Sequence, residues 1–510
     1  MTLLVRRFLI DYARTPANLL MLAVIPVVFV IVAADSMSDA ARLLGGASSG
    51  SGIATVTAGW AAGFLAAVAM YFQVSSARDT DRRLVLAGLP RSQLVAARLV
   101  TGASLAVLGS AAALTALLLR TGIDQPARVA TGTLMFAAIY LAVGAIVGAT
   151  VPDPVNGTLV LLFIWIIDVF FGPALSASQS VLTRVLPTHY VSLWTVALPP
   201  GHGGPRELAV SLLWTVFALL IAFAVVSSTS RVVRSKPAHT IRHPVRSQLA
   251  AGLRMGWRGW RRTPALWILL AVVPAVFIWL ADAVTPRGST AVVLVEDGVR
   301  FTDLVDPAHI HAGTMAPIAV GSLAALTGVF MSLDAGRAEQ RLVLAGQRAR
   351  VVIATRLGMV MSAAAISTIA AALVTAMVFQ PHQWGPYLLA LILSAATYGL
   401  IGMLLGPLFG RVAGAYVAFL IPFLDLGIGQ SPMVRGEPAA WARYLPGYGS
   451  TRVLIDGALT TGFDETSSLL IAASWIIGLT AAFIALFRHG VQSPTTRHPQ
   501  RVPLPPPQPD

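Results

Sequence analysis

Residues 14–26 read RTPANLLMLAVIP and residues 262–274 read RTPALWILLAVVP, and each leads into an apolar run too long to stay in water. The hexapeptide RLVLAG occurs at Arg83–Gly88 and again, unchanged, at Arg341–Gly346. A chain that writes the same apolar block twice, with the same charged element inside it, is constrained to two like bundles in a bilayer. That layout suits a transport machine better than an enzyme on a membrane anchor.

Composition agrees. The 510 residues are 56% hydrophobic and 11% charged, with mean hydropathy +0.75, whereas soluble domains carry roughly 25% charged residues. A helix crosses the hydrocarbon core with about 20 apolar residues. Twelve runs qualify, near 17–34, 53–75, 94–119, 129–151, 155–171 and 208–229, then 264–281, 313–332, 351–379, 386–406, 412–429 and 467–487. The expected fold is an all-α polytopic membrane protein with six spans in each half. The units run 1–230 and 246–490, with a basic linker at 231–245 and a Pro-rich disordered tail at 491–510. Ala33 and Ala34 resemble a signal-peptide cleavage site, but Pro26 and its copy at Pro274 argue for a retained helix. With no cysteine, disulfides, thiolate catalysis and Cys-ligated metals are excluded.

The net charge of +14 is distributed unevenly. With the amino terminus in the cytosol and the spans alternating, the cytosolic stretches sum to about +19 and the outer ones to about −5, as the positive-inside bias requires. Both termini then lie in the cytosol of a bacterial cell. A basic stretch such as 231–262 would also attract nucleic acid, but between two membrane blocks it reads as a linker facing lipid.

Offsets between the copies locate where they diverge. Pro16 and Pro264 stand 248 residues apart, as do Pro26 and Pro274. Arg83 and Arg341, Arg98 and Arg356, Tyr140 and Tyr398, Gly144 and Gly402, and Gly148 and Gly406 all stand 258 apart. The extra ten residues fall in the first outer loop of the second half, about 282–312. Six spans per half bring each unit back to the side it entered, so the repeats are parallel. The paired glycines, one helical turn apart, point to close helix packing.

Three elements recur. Before each first span lies an amphipathic segment: Leu4, Phe8 and Tyr12 share one face in the first, and Leu253, Trp257 and Trp260 share one in the second. This is the pattern of a helix lying in the interface. Between spans two and three, SSARDTDRRLVLAGLPRSQLV corresponds to SLDAGRAEQRLVLAGQRARVV. Gly88 and Gly346 would stop a compact helix, and apolar residues kept on a charged loop point to a partner surface. Near the outer ends of spans five and eleven stand Asp168 and Asp425. They fit either a helix-end cap or a group lining a pathway. Beyond each comes a long broken segment, 172–207 and 430–466, expected to hold re-entrant or interfacial helices.

A phosphate-binding loop needs a lysine after its last glycine, and the single lysine, Lys236, stands in RSKP. No HExxH, GxSxG or GxGxxG sequence stands in a strand-to-helix setting, and His309 and His311 alone make a weak metal site. No catalytic residue, cofactor or metal is expected in this chain.

Together the amphipathic segment before Arg14-Thr15-Pro16, the RLVLAG loop and the broken outer segment, each occurring twice, resemble the ABC-2 type permeases. The likeness covers nearly the whole chain and is closest to fused actinobacterial permeases of antibiotic and multidrug export. It implies the type V exporter architecture, with the amphipathic segments as elbow helices and the RLVLAG loops as coupling helices seated on ATPase subunits. By that resemblance Arg78, Arg82, Arg83, Leu84, Leu86 and Leu89, with Arg337, Arg341, Leu342, Leu344 and Gln347, dock the ATPase. It also puts Trp60, Phe64, Trp165, Phe170, Phe330 and Phe423 along the pathway, beside Asp168 and Asp425. The implied partners are two copies of a cytosolic nucleotide-binding subunit, which hold ATP and Mg, besides membrane lipid and an amphipathic small-molecule substrate. Nucleic acid is not expected. The competing reading is a proton-coupled secondary transporter in which Asp168 and Asp425 carry the proton.

Overall fold

The computed structural model describes residues 1–43, 50–151, 153–175, 181–196, 203–229, 248–261, 264–296, 299–344, 349–433 and 437–492. The expected linker 231–245, the tail from 493 onward and Gln347 lie outside the described residues. The chain is about 84% helical, and eleven helices among the described residues are long and apolar enough to cross a membrane. It is a multi-pass membrane protein. Helices dominate because hydrocarbon offers no partner for a peptide group, and a helix satisfies its own.

In the first half, α1 (Thr2–Ala13) precedes α2 (Pro16–Leu43), α3 (Gly50–Ser75), α4 (Arg78–Leu86), α5 (Arg91–Thr121), α6 (Pro126–Thr150), α7 (Pro154–Phe171), the short α8 (His189–Val196) and α9 (Pro205–Thr229). In the second, α10 (Gln248–Arg261) precedes α11 (Pro264–Val284), α12 (Pro307–Leu344), α13 (Ala349–Val378), α14 (Trp384–Pro422), the short α15 (Tyr448–Leu459) and α16 (Thr466–Gln492). Six of these helices begin on proline, whose missing N–H costs nothing in a first turn.

Eleven candidate spans replace the expected twelve because α14 runs on through a π-helical turn, Phe423–Gly429, as one stretch of 46 residues. At 1.5 Å per residue that is about 69 Å, twice the thickness of the hydrocarbon core. The stretch is broken at Gly410, with φ +74°. The expected spans 386–406 and 412–429 meet at that residue.

One element is added and one expectation is corrected. The outer loop 282–312 holds an antiparallel hairpin of β1 (Thr290–Glu296) and β2 (Val299–Val305), with Glu296 opposite Val299. Val292 and Leu294 of β1 are buried against Ile310, Met433 and Ile455, while β2 is exposed. Asp-Gly separates the strands in sequence, the pair that two-residue hairpin connections favour. The second RLVLAG stretch also differs from the first: α12 continues without interruption from Pro307 to Leu344, 38 residues. Arg337, Arg341, Leu342 and Leu344 therefore lie on an extension of a span, not on a separate compact helix.

The paired glycines pack as anticipated. A Cβ on Gly144 would stand 2.1 Å from the Ala67 carbonyl oxygen, and one on Gly402 would stand 2.0 Å from that of Ala325. Helix α3 thus meets α6, and α12 meets α14, backbone to backbone, as small residues permit in lipid. Gly144→Ala is expected to push α3 and α6 apart at a cost of about 1–3 kcal/mol. Thermal unfolding of the purified chain in detergent measures this. Gly462→Ala, where a Cβ meets nothing within 4 Å, is expected to leave the transition unmoved.

Candidate functional site

Where the halves meet, aromatic side chains from both close the seam. Phe64 of α3 lies 4.7 Å from Phe419 and 5.9 Å from Tyr416 of α14, ring centre to ring centre. Trp165 of α7 lies 5.2 Å from Phe419 and 6.3 Å from Phe423. Phe29 of α2 stacks on Phe423 at 5.8 Å, and Phe170 meets the same ring edge-on at 6.0 Å. Further along, Phe72 stacks on Phe330 at 6.5 Å. The Tyr416 hydroxyl donates across the seam to the Leu65 carbonyl, 2.7 Å. Among these rings only about 10 Å³ of void remains, room for no more than a water. Lipid removes the hydrophobic drive for helix association, so ring packing of about 0.5–1.5 kcal/mol per pair and this hydrogen bond hold the halves together here.

The structure brings Phe64, Trp165, Phe170 and Phe423 into one cluster and sets Phe330 against Phe72. Trp60 is buried beside them, its carbonyl accepting from the Trp165 indole N–H at 2.9 Å. Phe29, Tyr416 and Phe419 belong to the same seam and were not picked out from the sequence, where an aromatic on a span looks the same whether it faces lipid or a neighbour.

Asp168 and Asp425 act as helix caps. Asp168 accepts from the Tyr140 hydroxyl (2.7 Å), the Thr188 hydroxyl (2.6 Å) and the Thr188 N–H (3.1 Å). Thr188 immediately precedes α8, so the carboxyl ties that short helix to α6 and α7. Asp425 accepts from the Tyr398 hydroxyl (2.7 Å), the Gly447 N–H (2.8 Å) and the Gln430 amide (3.1 Å). Gly447 immediately precedes α15. Both carboxyls therefore satisfy a donor at a helix N-terminus, the group such a terminus lacks. The recurrence of Tyr140 at Tyr398, legible in the sequence, was the sign of these paired clamps.

At the end of the bundle that bears α1, α4 stands outside the spans. It ends in a Schellman motif: the Leu89 N–H donates to the Leu84 carbonyl (3.0 Å), the Gly88 N–H donates to Val85 (3.1 Å), and Gly88 takes φ +98°. Leu84, Val85 and Leu89 pack inward against Phe8, Leu94 and Ala97, so Leu84 and Leu89 hold α4 in place instead of facing outward. Arg78 also turns in, donating to the Gly148 carbonyl in the last turn of α6 at 2.5 and 3.2 Å, where a cation suits the helix dipole. Burial lowers its pKa from the ordinary guanidinium value. Arg83 and Leu86 face outward, Leu86 with 68% of its surface exposed.

Arg98 locks the assembly. It donates to both carboxylate oxygens of Asp81 on α4, at 2.7 and 3.2 Å, while its guanidinium lies 3.7 Å from the centre of the Phe8 ring on α1. One residue of α5 thus fixes α1 and α4 to the bundle. Its equivalent, Arg356, is buried and lies 5.4 Å from the Phe487 ring. No family model matches the sequence, and no curated protein is similar enough to it to count as a match.

Proposed function

We propose that this chain is the membrane-spanning permease subunit of an ATP-binding cassette exporter, moving hydrophobic or amphipathic compounds out of the cell and powered by separate ATPase subunits. On this reading Gly410 divides α14 into two spans, making twelve in two parallel sets of six. Helices α1 and α10 are the elbows. The observation that carries the reading is α4: a short helix outside the spans, braced by Arg98–Asp81 and Arg78–Gly148, with an apolar side chain left bare at its tip. A soluble partner pressing on Leu86 would transmit its displacement through Arg98 to α5 and through Arg78 to α6. The ring-sealed seam is then the closed state of the pathway, and ATP-driven movement parts it.

The test is purification from the native membrane in mild detergent. The expected companion is a chain of roughly 250–330 residues carrying a phosphate-binding loop. Recovery of a chain that transports in liposomes under a pH gradient alone, with no such companion, would overturn the proposal in favour of a proton-coupled carrier. Both oxygens of Asp168 and of Asp425 are taken up by donors within one half each, including those at the start of α8 and α15, which favours a structural cap over a proton carrier.

A further inference from the structure

Neither the seam nor the tip of α4 accounts for two apolar grooves along the flank of α5. The first, open and of about 600 Å³, lies between α1 and α5, with Val5, Leu9 and Ile10 on one wall and Val100 on the other. The second, of about 300 Å³, starts at the same Val100 and runs between α5, α6 and α9, past Ala103, Leu134, Leu141 and Leu219. The two meet at one side chain. Val100 and Leu134 are each 42% exposed, so the path lies open sideways to lipid.

Depth identifies what fits them. Helix α5 has 31 residues, about 46 Å in length, so its midpoint lies about 23 Å from Arg91. The part of α5 that lines the second groove, Val100 to Val107, stands about 14 to 24 Å along it. Helix α6 runs the other way and ends at Thr150, and its Leu141 and Leu134 stand about 14 and 24 Å from that end. The second groove therefore reaches the middle of the hydrocarbon, and the first carries it back to the interfacial α1. Together they cover the depth of one leaflet. Arg6 is the one charged side chain on either wall. It is exposed, and the acid of its own helix, Asp11, pairs with Arg14. Among the described residues no carboxylate neutralises Arg6. A guanidinium at the mouth of an apolar groove is matched by a phosphate, which it holds through two parallel N–H···O bonds. Arg7, Arg83 and Arg91 are exposed at the same end of the bundle, and their field favours a head of net negative charge.

We infer that an anionic phospholipid docks along this flank, with its phosphate on Arg6 and one acyl chain laid through both grooves. The inference holds whatever energy source drives the chain. The full-length chain, purified in detergent, is titrated with dioleoyl phosphatidylglycerol and followed by native mass spectrometry. Dioleoyl phosphatidylcholine, with the same chains and phosphate but no net charge, is the comparison. The phosphatidylglycerol is expected to be held about fivefold more tightly, the worth of one basic side chain at a lipid head. Arg6→Gln is expected to erase that preference without unfolding the chain, because α1 packs through Phe8 and Tyr12. Ala103→Trp fills the second groove from an exposed position. It is expected to weaken both lipids about tenfold, by displacing about two methylenes. Leu213→Trp, on the open face of α9 and 71% exposed, is expected to change neither. Equal retention of the two lipids by the wild type would overturn the inference, leaving ordinary lipid contact. So would an Ala103→Trp chain that holds both lipids as tightly as the Leu213→Trp chain does.

Discussion

On the proposed reading, Leu86→Asp is expected to release a partner ATPase subunit while the chain still inserts and folds. The side chain is 68% exposed and touches none of the braces that hold α4, so a carboxylate there costs the isolated chain little. Pressed into a partner's apolar pocket it loses the burial energy of the leucine and strands a charge. Central interface residues of this kind are worth about 2 kcal/mol or more, at least about thirtyfold in affinity. Leu84→Asp is the informative contrast. Leu84 packs beside Phe8, Leu94 and Ala97, so its substitution is expected to loosen α4 itself and lower the unfolding temperature. Co-purification of an ATPase measured beside thermal unfolding separates the two. Association unchanged in Leu86→Asp, and in the double variant with Leu344→Asp, removes α4 as a docking element.

That contrast also marks how far the sequence could be read. The Gly88 stop and the spans before and after it followed from local rules: the Schellman bonds at Leu84 and Val85 bear out the stop, and Gly52–Ser75 and Arg91–Thr121 the two spans. Which face of RLVLAG turns outward did not follow, because that depends on Phe8 of α1 and Ala97 of α5 arriving from elsewhere in the chain. The same limit applies at the seam. Trp165 and Phe423 were legible as aromatics on spans, but their pairing needs two helices hundreds of residues apart, and hydropathy carries no such information. The same four residues, Arg-Leu-Val-Leu, also end up on different backbones: Arg83–Leu86 in a separate helix, Arg341–Leu344 in a continuation of α12. The hairpin at Thr290–Val305 escaped for another reason. Its one alternating signal, Val292 and Leu294 buried on β1, sits in a loop between spans, and there charge and length carried more weight than strand periodicity.

Asp425→Asn is expected to destabilise the protein more than Asp168→Asn, although the two positions correspond across the halves. The reason is the kind of donor at each oxygen. At Asp168, one oxygen faces the Thr188 N–H and the other faces two hydroxyls, from Tyr140 and Thr188. An asparagine keeps its carbonyl toward the N–H and donates from its nitrogen to the hydroxyls, which can rotate to accept. At Asp425, one oxygen faces the Gly447 N–H together with Tyr398, and the other faces the Gln430 amide nitrogen. Both orientations of an asparagine set a donor against a donor. Gln430 cannot turn its amide over freely either, because the same nitrogen also donates to the Ala442 carbonyl at 2.7 Å. A buried donor left unmatched costs about 1–3 kcal/mol. The Asp425 variant should therefore unfold at a clearly lower temperature, with the Asp168 variant close to wild type. Equal losses at the two positions would mean that charge, and not the geometry of donors, sets their role. Transport assays on the Asp168 variant then carry the functional half of the question. A cap that keeps its bonds leaves export intact, whereas a proton carrier without its carboxyl stops.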